Sequence, residues 1–127
     1  MTARDYYQSI LQLLTASAVV TGHRVEFDEQ DVLVAYLKGS VSLSDGSTLF
    51  FAEYVQIEIG SGQVNRKKYR YHWQAVDGET RYRWDNARHH RDLATFPDHI
   101  HVGPNEALQE SNPVDLWKIM NRIEKEI

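Results

Sequence analysis

Apolar residues recur every three to four positions near the start of the chain. Between about Asp5 and Val20 they form one face of a helix, through Tyr6, Tyr7, Ile10, Leu11, Leu14 and Ala18. Thr2 and Asp5 have the spacing of a capping box, and Gly22 is a suitable stop signal. The pattern predicts an N-terminal helix that packs through a single face.

A second helical pattern lies at the other end of the chain. Its apolar face consists of Leu116, Ile119, Met120 and Ile123. Pro113 suits the first position of a helix, and Ser111 or Asn112 suits the cap before it. Asp115 would then be a favourable charge in the first turn. The pattern predicts a C-terminal helix that begins at Pro113 and also packs through one face.

Between the helices the pattern changes to alternation, which is typical of strands. A short alternating segment, His23–Phe27, is followed by two longer ones, Val32–Leu43 and Thr48–Ile59. Asp45-Gly46 lies between the longer two, and this dipeptide favours a tight hairpin. Because apolar residues fall on both faces of this pair, we expect its strands to be central in a sheet or covered on both sides.

Glu53 is a carboxylate inside an apolar strand. Pairing about Asp45-Gly46 would place it opposite Lys38, which predicts a cross-strand ion pair. The alternative interpretation is that Glu53 is a site group facing the basic residues that follow later in the chain.

A second hairpin is predicted from Val64–Val76 and Glu79–Asn86, around Asp77-Gly78. A two-residue loop pairs Trp73 with Tyr82 and Tyr71 with Trp84, which gives one aromatic face suited to packing under a helix. The other face is polar, with three predicted pairs: Gln74 with Arg81, His72 with Arg83, and Arg70 with Asp85.

The chain then leaves the sheet through Ala87–Asp92, and Phe96-Pro97 marks a bend. Asp98–Val102 is expected to be a short final strand, with the imidazoles of His99 and His101 on one face. The architecture predicted for residues 1–127 is a single α+β domain. It has an N-terminal helix, an antiparallel meander of four to five strands and a C-terminal helix, in a two-layer sandwich.

Charge is unevenly distributed along the chain. The formal net charge is −4, but residues 65–91 carry eight basic and three acidic side chains, so that segment is +5 and the remainder is −9. Five of the six histidines lie in Lys67–Gly103. A basic island on an acidic body favours a local anionic ligand. The absence of Cys excludes disulfides and thiolate metal sites, and the lack of a membrane span or a signal-like start predicts a cytoplasmic protein.

Histidine and arginine together suit cleavage of RNA without a metal. RNA carries its own nucleophile, the 2′-hydroxyl, so a protein need supply only an acid, a base and positive charge. Histidine fits the first two tasks and arginine the third. Stacking of bases on Tyr71, Trp73, Tyr82 or Trp84 is the less favoured role for these aromatic residues, because alternation assigns them to the core.

Three alternatives remain open from the residues. The H-x-H pair with His89 or His90 could form a three-histidine metal site, completed by Glu53 or Asp98. The cluster could instead recognise nucleic acid or protein without catalysis. It could also be a structural network that closes the sheet.

Three motifs in this region resemble the TumE-type toxins of prokaryotic toxin–antitoxin pairs. They are Tyr71-His72-Trp73, Arg83-Trp84-Asp85-Asn86-Ala87-Arg88-His89-His90 and Phe96-Pro97-Asp98-His99-Ile100-His101. The sequence departs from the family pattern at Arg88, where Pro is common, and at Asp98, where His is common. The resemblance implies a growth-inhibiting toxin that is neutralised by direct binding of an antitoxin, often a helix-turn-helix DNA-binding protein.

The favoured hypothesis is therefore a type II toxin that is a ribonuclease and needs no cofactor or metal. Its expected catalytic residues are Tyr71, His72, Arg83, Asp85, His89, His90, His99 and His101, with Asp85 orienting a His or Arg. Its expected substrate-binding residues are Lys68, Arg70, Arg81 and Arg88. The expected partners are RNA and the antitoxin, with no membrane, and a homodimer is left open.

Overall fold

The computed structural model describes residues 1–127 as two helices and seven strands. The elements in chain order are α1 (Ala3–Ala16), β1 (Val20–Asp31), β2 (Val34–Leu43), β3 (Thr48–Ile57), β4 (Val64–Gln74), β5 (Thr80–Asp85), β6 (His99–Val102), β7 (Ala107–Glu110) and α2 (Leu116–Glu126).

All seven strands form one antiparallel sheet whose spatial order follows the chain. This confirms an α+β meander between two helices, but the expected four to five strands are too few. The short segment His23–Phe27 extends into the twelve-residue β1, and β7 was missed. The four residues of β7 are all exposed and show no apolar alternation, so the periodicity carries no signal for this edge strand.

The first hairpin is shifted by one residue from its predicted register. Leu43 N–H donates to the Ser47 carbonyl at 3.0 Å, which closes a three-residue loop with Gly46 at φ 85°. Such a loop, with glycine in the left-handed region, replaces the two-residue turn that was expected. Glu53 therefore pairs with Leu37, and the predicted ion pair between Glu53 and Lys38 is wrong.

The second hairpin also has a three-residue loop, but beyond a bulge its residues pair in the predicted register. Ala75 N–H donates to the Glu79 carbonyl at 2.8 Å, so this loop also has three residues. The register then shifts between Trp73 and Gln74, which leaves Arg81 as the extra residue of a bulge. The aromatic pairs and the His72–Arg83 and Arg70–Asp85 pairs are confirmed, whereas Gln74 pairs with Thr80 and not with Arg81.

Both helices are shorter than their sequence patterns predicted. The capping box of Thr2 and Asp5 is present, but α1 ends at Ala16 and Gly22 lies within β1. The β-branched Val19 and Val20 explain this early end, since such residues favour strands. Helix α2 begins at Leu116, and its N-cap is Asp115, whose carboxylate accepts from the backbone N–H of Lys118 at 2.8 Å; Pro113 precedes the helix.

The hydrophobic core lies between the two helices and one face of the sheet. Alternate residues of the central strands are buried there, among them Leu49, Phe51, Tyr71, Trp73 and Trp84. The helices contribute Tyr6, Ile10, Leu14, Leu116, Ile119, Met120 and Ile123. We call this side of the sheet the covered face and the other side the open face. The predicted aromatic face of the second hairpin is the covered face, as expected.

Glu53 is the one buried carboxylate of the covered face, with 2% of its surface exposed. Its two oxygens accept hydrogen bonds from the hydroxyls of Tyr6 and Tyr71. Burial raises the pKa of Glu53, although the two hydroxyl donors and the positive charge of Arg66 act in the opposite direction. Glu53 thus ties α1 to β3 and β4 on the covered face, away from the polar residues of the open face.

Candidate active site

Cross-strand pairing arranges the polar residues of the open face in two adjacent rows. One row runs from Phe50 on β3 through His72, Arg83 and His101 to Leu108 on β7. The next row contains Lys38, Ala52, Arg70, Asp85, His99 and Glu110. Because paired residues of antiparallel strands point to the same face, the His99-x-His101 pair lies directly beside Asp85 and Arg83.

His99 is held on both sides of its ring. Its Nδ1 lies 2.9 Å from the carbonyl oxygen of Pro97, and its Nε2 lies 2.9 Å from Oδ1 of Asp85. Both neighbours are hydrogen-bond acceptors, so both nitrogens must carry protons for both bonds to form. With 2% of its surface exposed, His99 is fixed in place as the buried partner of Asp85.

His101 is held on one side only. Its Nδ1 lies 3.3 Å from the carbonyl oxygen of Glu106, which leaves Nε2 with a free lone pair when Nδ1 carries the proton. Burial lowers the pKa of His101, and the nearby charges of Arg83 and His99 add to this effect. His101 is therefore a neutral imidazole near pH 7 with an available acceptor nitrogen.

His90 completes a group of three imidazoles. It lies in the irregular segment between β5 and β6, and its ring centroid is 4.9 Å from that of His99 and 5.9 Å from that of His101. One nitrogen from each ring falls within 4.8 Å of the others. The ring of His90 makes no hydrogen bond in the structure, and it is only partly buried, so it is the member of the group that is free to meet a ligand.

Arg83 brings positive charge to the edge of this group. Its guanidinium contacts Oε1 of Glu106 at 2.8 Å, while its Nε lies 3.6 Å from Oδ2 of Asp85. That Nε–H is buried and has no hydrogen-bond acceptor. Two carboxylates thus position the arginine without using all of its donors, and an anion beside His101 could accept the remaining hydrogen bond.

His72 and His89 stand at the margins of the group. His72 is in the same row as Arg83 and His101, but its Nε2 lies 2.8 Å from the Thr80 hydroxyl. Burial lowers the pKa of His72, and the charges of Arg70 and Arg83 lower it further. His89 is exposed, and its ring is 6.5 Å from that of His90. Neither joins the three-imidazole group.

Two predicted site residues lie away from the group. Tyr71 is fully buried on the covered face, where its hydroxyl donates to Glu53. The prediction that Tyr71 lies beside the histidines is wrong, because strand alternation puts Tyr71 and His72 on opposite faces of the sheet. Arg81 contacts Asp45 at 2.8 Å and lies over the Trp73 ring, at the hairpin turns. Asp98, the suggested extra metal ligand, accepts instead from the Tyr69 hydroxyl at 2.6 Å.

The remaining basic residues line a cleft of about 1070 Å³ next to the histidines. Lys68, Arg70 and Arg88 are exposed there, together with Lys38 and Lys67, and Arg83 and Asp85 connect the cleft to the imidazole group. Six of its seventeen lining residues are Lys or Arg. Five of the eight basic residues of the predicted island therefore line this cleft, namely Lys67, Lys68, Arg70, Arg83 and Arg88.

The sequence patterns missed two features of the site. Glu106 follows the predicted last strand, and it reaches both Arg83 and His101 only because β6 and β7 form a tight hairpin. The second is an aromatic group of Tyr36, Phe50 and Tyr54 on the open face, since the sequence pattern indicated only that both faces of the first strand pair carry apolar residues. The predicted register of the first hairpin is shifted by one residue, which separates Tyr36 from Phe50 and Tyr54. A three-residue loop at Asp45-Gly46 would place all three side chains on one face.

These features define an antiparallel-sheet protein with a histidine, arginine and aspartate site at one edge of a basic open face. Residues 10–127 match the model of the family described as Toxin TumE, and the chain belongs to this toxin family. Membership in it implies a cognate antitoxin. No curated protein and no solved structure matches the chain. Neither helix is long and apolar enough to cross a membrane.

Proposed function

We propose that this toxin inhibits growth by cleaving RNA, with the three-imidazole group and Arg83 as its active site and without a metal. The observation that carries the proposal is the contrast between His101 and His99. His101 has a free acceptor nitrogen and a lowered pKa, whereas both nitrogens of His99 face acceptors. An imidazole with a free acceptor nitrogen therefore lies beside one that is fixed to Asp85, and Arg83 pairs with the first.

In the proposed reaction, Nε2 of His101 takes the proton of the RNA 2′-hydroxyl. The 2′-oxygen attacks the adjacent phosphorus, and the bond from phosphorus to the 5′-oxygen breaks. His90, when protonated, gives its proton to that leaving oxygen. Arg83 stabilises the negative charge that develops on the phosphoryl oxygens, and Asp85 acts as a positioning residue through His99. The products are a 2′,3′-cyclic phosphate and a 5′-hydroxyl.

A metal-dependent nuclease is the second candidate, and one observation favours it. Nδ1 of His99 and Nδ1 of His101 each lie against a backbone carbonyl, which is how metal-binding histidines are commonly oriented. The three candidate nitrogens lie within 4.8 Å of one another, whereas ligands of a tetrahedral zinc ion are about 3.4 Å apart. His90, His99 and His101 would hold the metal, which would supply a Lewis acid for cleavage of the phosphodiester, and their rings would have to move closer together.

Because the family implies a cognate antitoxin, we propose a type II system in which an antitoxin protein, of the helix-turn-helix DNA-binding kind, binds this toxin directly. An RNA substrate places the activity in the cytoplasm. The exposed basic cleft beside the site supports an anionic target of this kind.

Incubation of the purified protein with total RNA, with and without EDTA, tests this function. We expect cleavage that survives EDTA and that falls by about 10²–10⁴-fold in His101→Ala and His90→Ala. His23→Ala is the matched control, because His23 is exposed on β1 near Thr15 and should leave cleavage unchanged. EDTA-sensitive cleavage would favour the metal candidate. RNA retention without any cleavage would contradict both.

A further inference from the structure

Three aromatic side chains stand on the open face, where a sheet in contact with water usually carries polar residues. Tyr36 and Phe50 are 49% and 44% exposed. Tyr54 pairs with Tyr36 across β2 and β3, and their rings stack at a centroid distance of 4.5 Å and an angle of 20°. No helix covers these rings, because α1 and α2 both pack on the other face.

Unpaired positive charge surrounds the same rings. Lys68 follows Tyr54 in its row, and Lys38 and Arg70 lie in the adjacent row on either side of Ala52. All three cations are exposed, and none forms a salt bridge. Small Ala52 leaves a shallow floor between them. The surface therefore alternates flat rings with free cations, which matches the alternation of bases and phosphates along a nucleic-acid strand.

The aromatic surface leads directly to the three histidines. Phe50 begins the row that passes through His72 and Arg83 to His101. At roughly 4.8 Å per strand, β3 and β6 are about 14 Å apart. Phe50 and Tyr54 are also about 14 Å apart along β3, at roughly 3.4 Å per residue. A strand of a few nucleotides can therefore contact both platforms and the imidazoles at once.

We propose that the open face binds a single-stranded, unpaired RNA segment next to the cleaved phosphate. Bases stack on the Tyr36–Tyr54 pair and on Phe50, and phosphates contact Lys38, Lys68 and Arg70. This inference rests on the proposed RNA-cleaving function and adds the form of the substrate. A duplex fits poorly because its base faces are buried in its own stack, whereas sheet surfaces that present aromatic rings are suited to splayed bases.

Fluorescence anisotropy with a labelled twelve-nucleotide RNA of mixed sequence, free or annealed to its complement, tests the proposal. The protein is the cleavage-impaired His101→Gln variant. The Tyr36→Ala/Tyr54→Ala double variant and Phe50→Ala should each weaken binding to the single strand roughly 5- to 150-fold, as expected for about 1–3 kcal/mol per stacked base. Trp117→Ala is the matched control, since Trp117 is 38% exposed on α2, away from this face.

Salt dependence tests the phosphate contacts separately. Lys68→Gln and Arg70→Gln should each reduce the slope of log affinity against log salt by about 0.7 for a single strand. Lys125→Gln on α2 should leave the slope unchanged, because Lys125 lies on the other side of the molecule. Melting curves of the Tyr36/Tyr54, Phe50, Lys68 and Arg70 variants should stay close to that of wild type, since these side chains are on the open face and no helix covers them.

Equal affinity for single strand and duplex, or unchanged affinity in the aromatic variants, would overturn the proposal. It would also be overturned if these variants lost the cognate antitoxin but kept RNA binding, because the face would then serve the antitoxin. The two proposals fail in different ways. Tight single-strand binding by a wild-type protein that does not cleave RNA would contradict only the ribonuclease proposal. Cleavage by wild type with unchanged binding in the aromatic variants would contradict only the proposal of single-strand binding on the open face.

Discussion

The two faces of the sheet are built from alternate residues of the same strands, yet they differ in almost every property. On β4, Tyr71 and Trp73 are fully buried on the covered face, whereas Arg70 is exposed and His72 is half-buried on the open face. Packing under two helices restricts the first set to large apolar side chains. The side chains of the open face are not restricted in this way, so they can be charged or reactive. The alternation thus separates what holds the fold together from what contacts a ligand.

Each face contains one exception to this division. The covered face buries Glu53, which is satisfied by the hydroxyls of Tyr6 and Tyr71. The open face exposes Phe50 and the stacked Tyr36 and Tyr54. A buried carboxylate requires hydrogen-bond partners to be tolerated, and partly exposed rings contribute less to the core than buried ones. The first exception is therefore expected to affect stability, and the second to affect binding.

The largest expected loss of stability comes from the covered face. Trp73→Ala removes a fully buried ring and its Nε1–H hydrogen bond to the Ser47 hydroxyl, at 2.9 Å. We expect the free energy of unfolding, measured by urea denaturation, to fall by about 3–5 kcal/mol. Phe50→Ala on the open face is the comparison and should cost less than about 1 kcal/mol. Similar losses for both variants would show that the two faces contribute equally to the free energy of unfolding, which contradicts the proposed division.

A smaller loss is expected when Glu53 is replaced. Glu53→Leu leaves the hydroxyls of Tyr6 and Tyr71 without an acceptor in a buried environment, which should lower the unfolding free energy by about 1–3 kcal/mol. Glu53→Gln keeps one acceptor oxygen and should lose less. RNA cleavage by the folded fraction should be unchanged in both, because Glu53 faces away from the histidines. A specific loss of cleavage at wild-type stability would place Glu53 in the site.

The smallest expected effect is a dependence of stability on pH that originates on the open face. The pKa values of His72 and His101 are lowered in the folded protein, mainly by burial, so the unfolded chain binds protons more readily. Their contribution is fully present above the ordinary histidine pKa of about 6.5, and it is lost as pH falls through that value towards the folded pKa.

Urea denaturation at pH 7.5, 6.5 and 5.5 measures this dependence. The unfolding free energy of wild type should decrease over this series, by less than either loss expected above. His72→Gln/His101→Gln should show a flatter profile, and His23→Gln should follow wild type. A decrease of the same size in the double variant would mean that other groups cause it.

Local patterns were sufficient to predict much of the fold. The aromatic pairs Trp73–Tyr82 and Tyr71–Trp84, and the shared face of His99 and His101, follow from the two-residue period of strands. The predictions of strand register and strand number were wrong where the two-residue period of strands carries no information. A one-residue difference in loop length at Asp45-Gly46 moved every side chain of β2 relative to β3, and an exposed four-residue edge strand left no pattern at all.

The candidate site could be predicted only in part, for a related reason. Arg83, Asp85, His99 and His101 are neighbours because adjacent strands pair, and motif and pairing place them on one face. His90 joins them through an irregular segment, and Glu106 through a turn beyond the predicted last strand, so neither position follows from periodicity. The sequence also offered five histidines for the site, and only the three-dimensional arrangement separates the three clustered ones from His72 and His89.

The chemical nature of the RNA ends shows whether the 2′-hydroxyl or water is the nucleophile. In the proposed reaction the 2′-hydroxyl of the substrate is the nucleophile and His101 is the base, so we expect a 2′,3′-cyclic phosphate and a 5′-hydroxyl at each cut. The same oligonucleotide with 2′-O-methyl groups throughout should be bound but not cut. Mass spectrometry of the products decides the matter. Fragments that carry 5′-phosphate and 3′-hydroxyl ends, or cleavage of the methylated strand, would contradict the account.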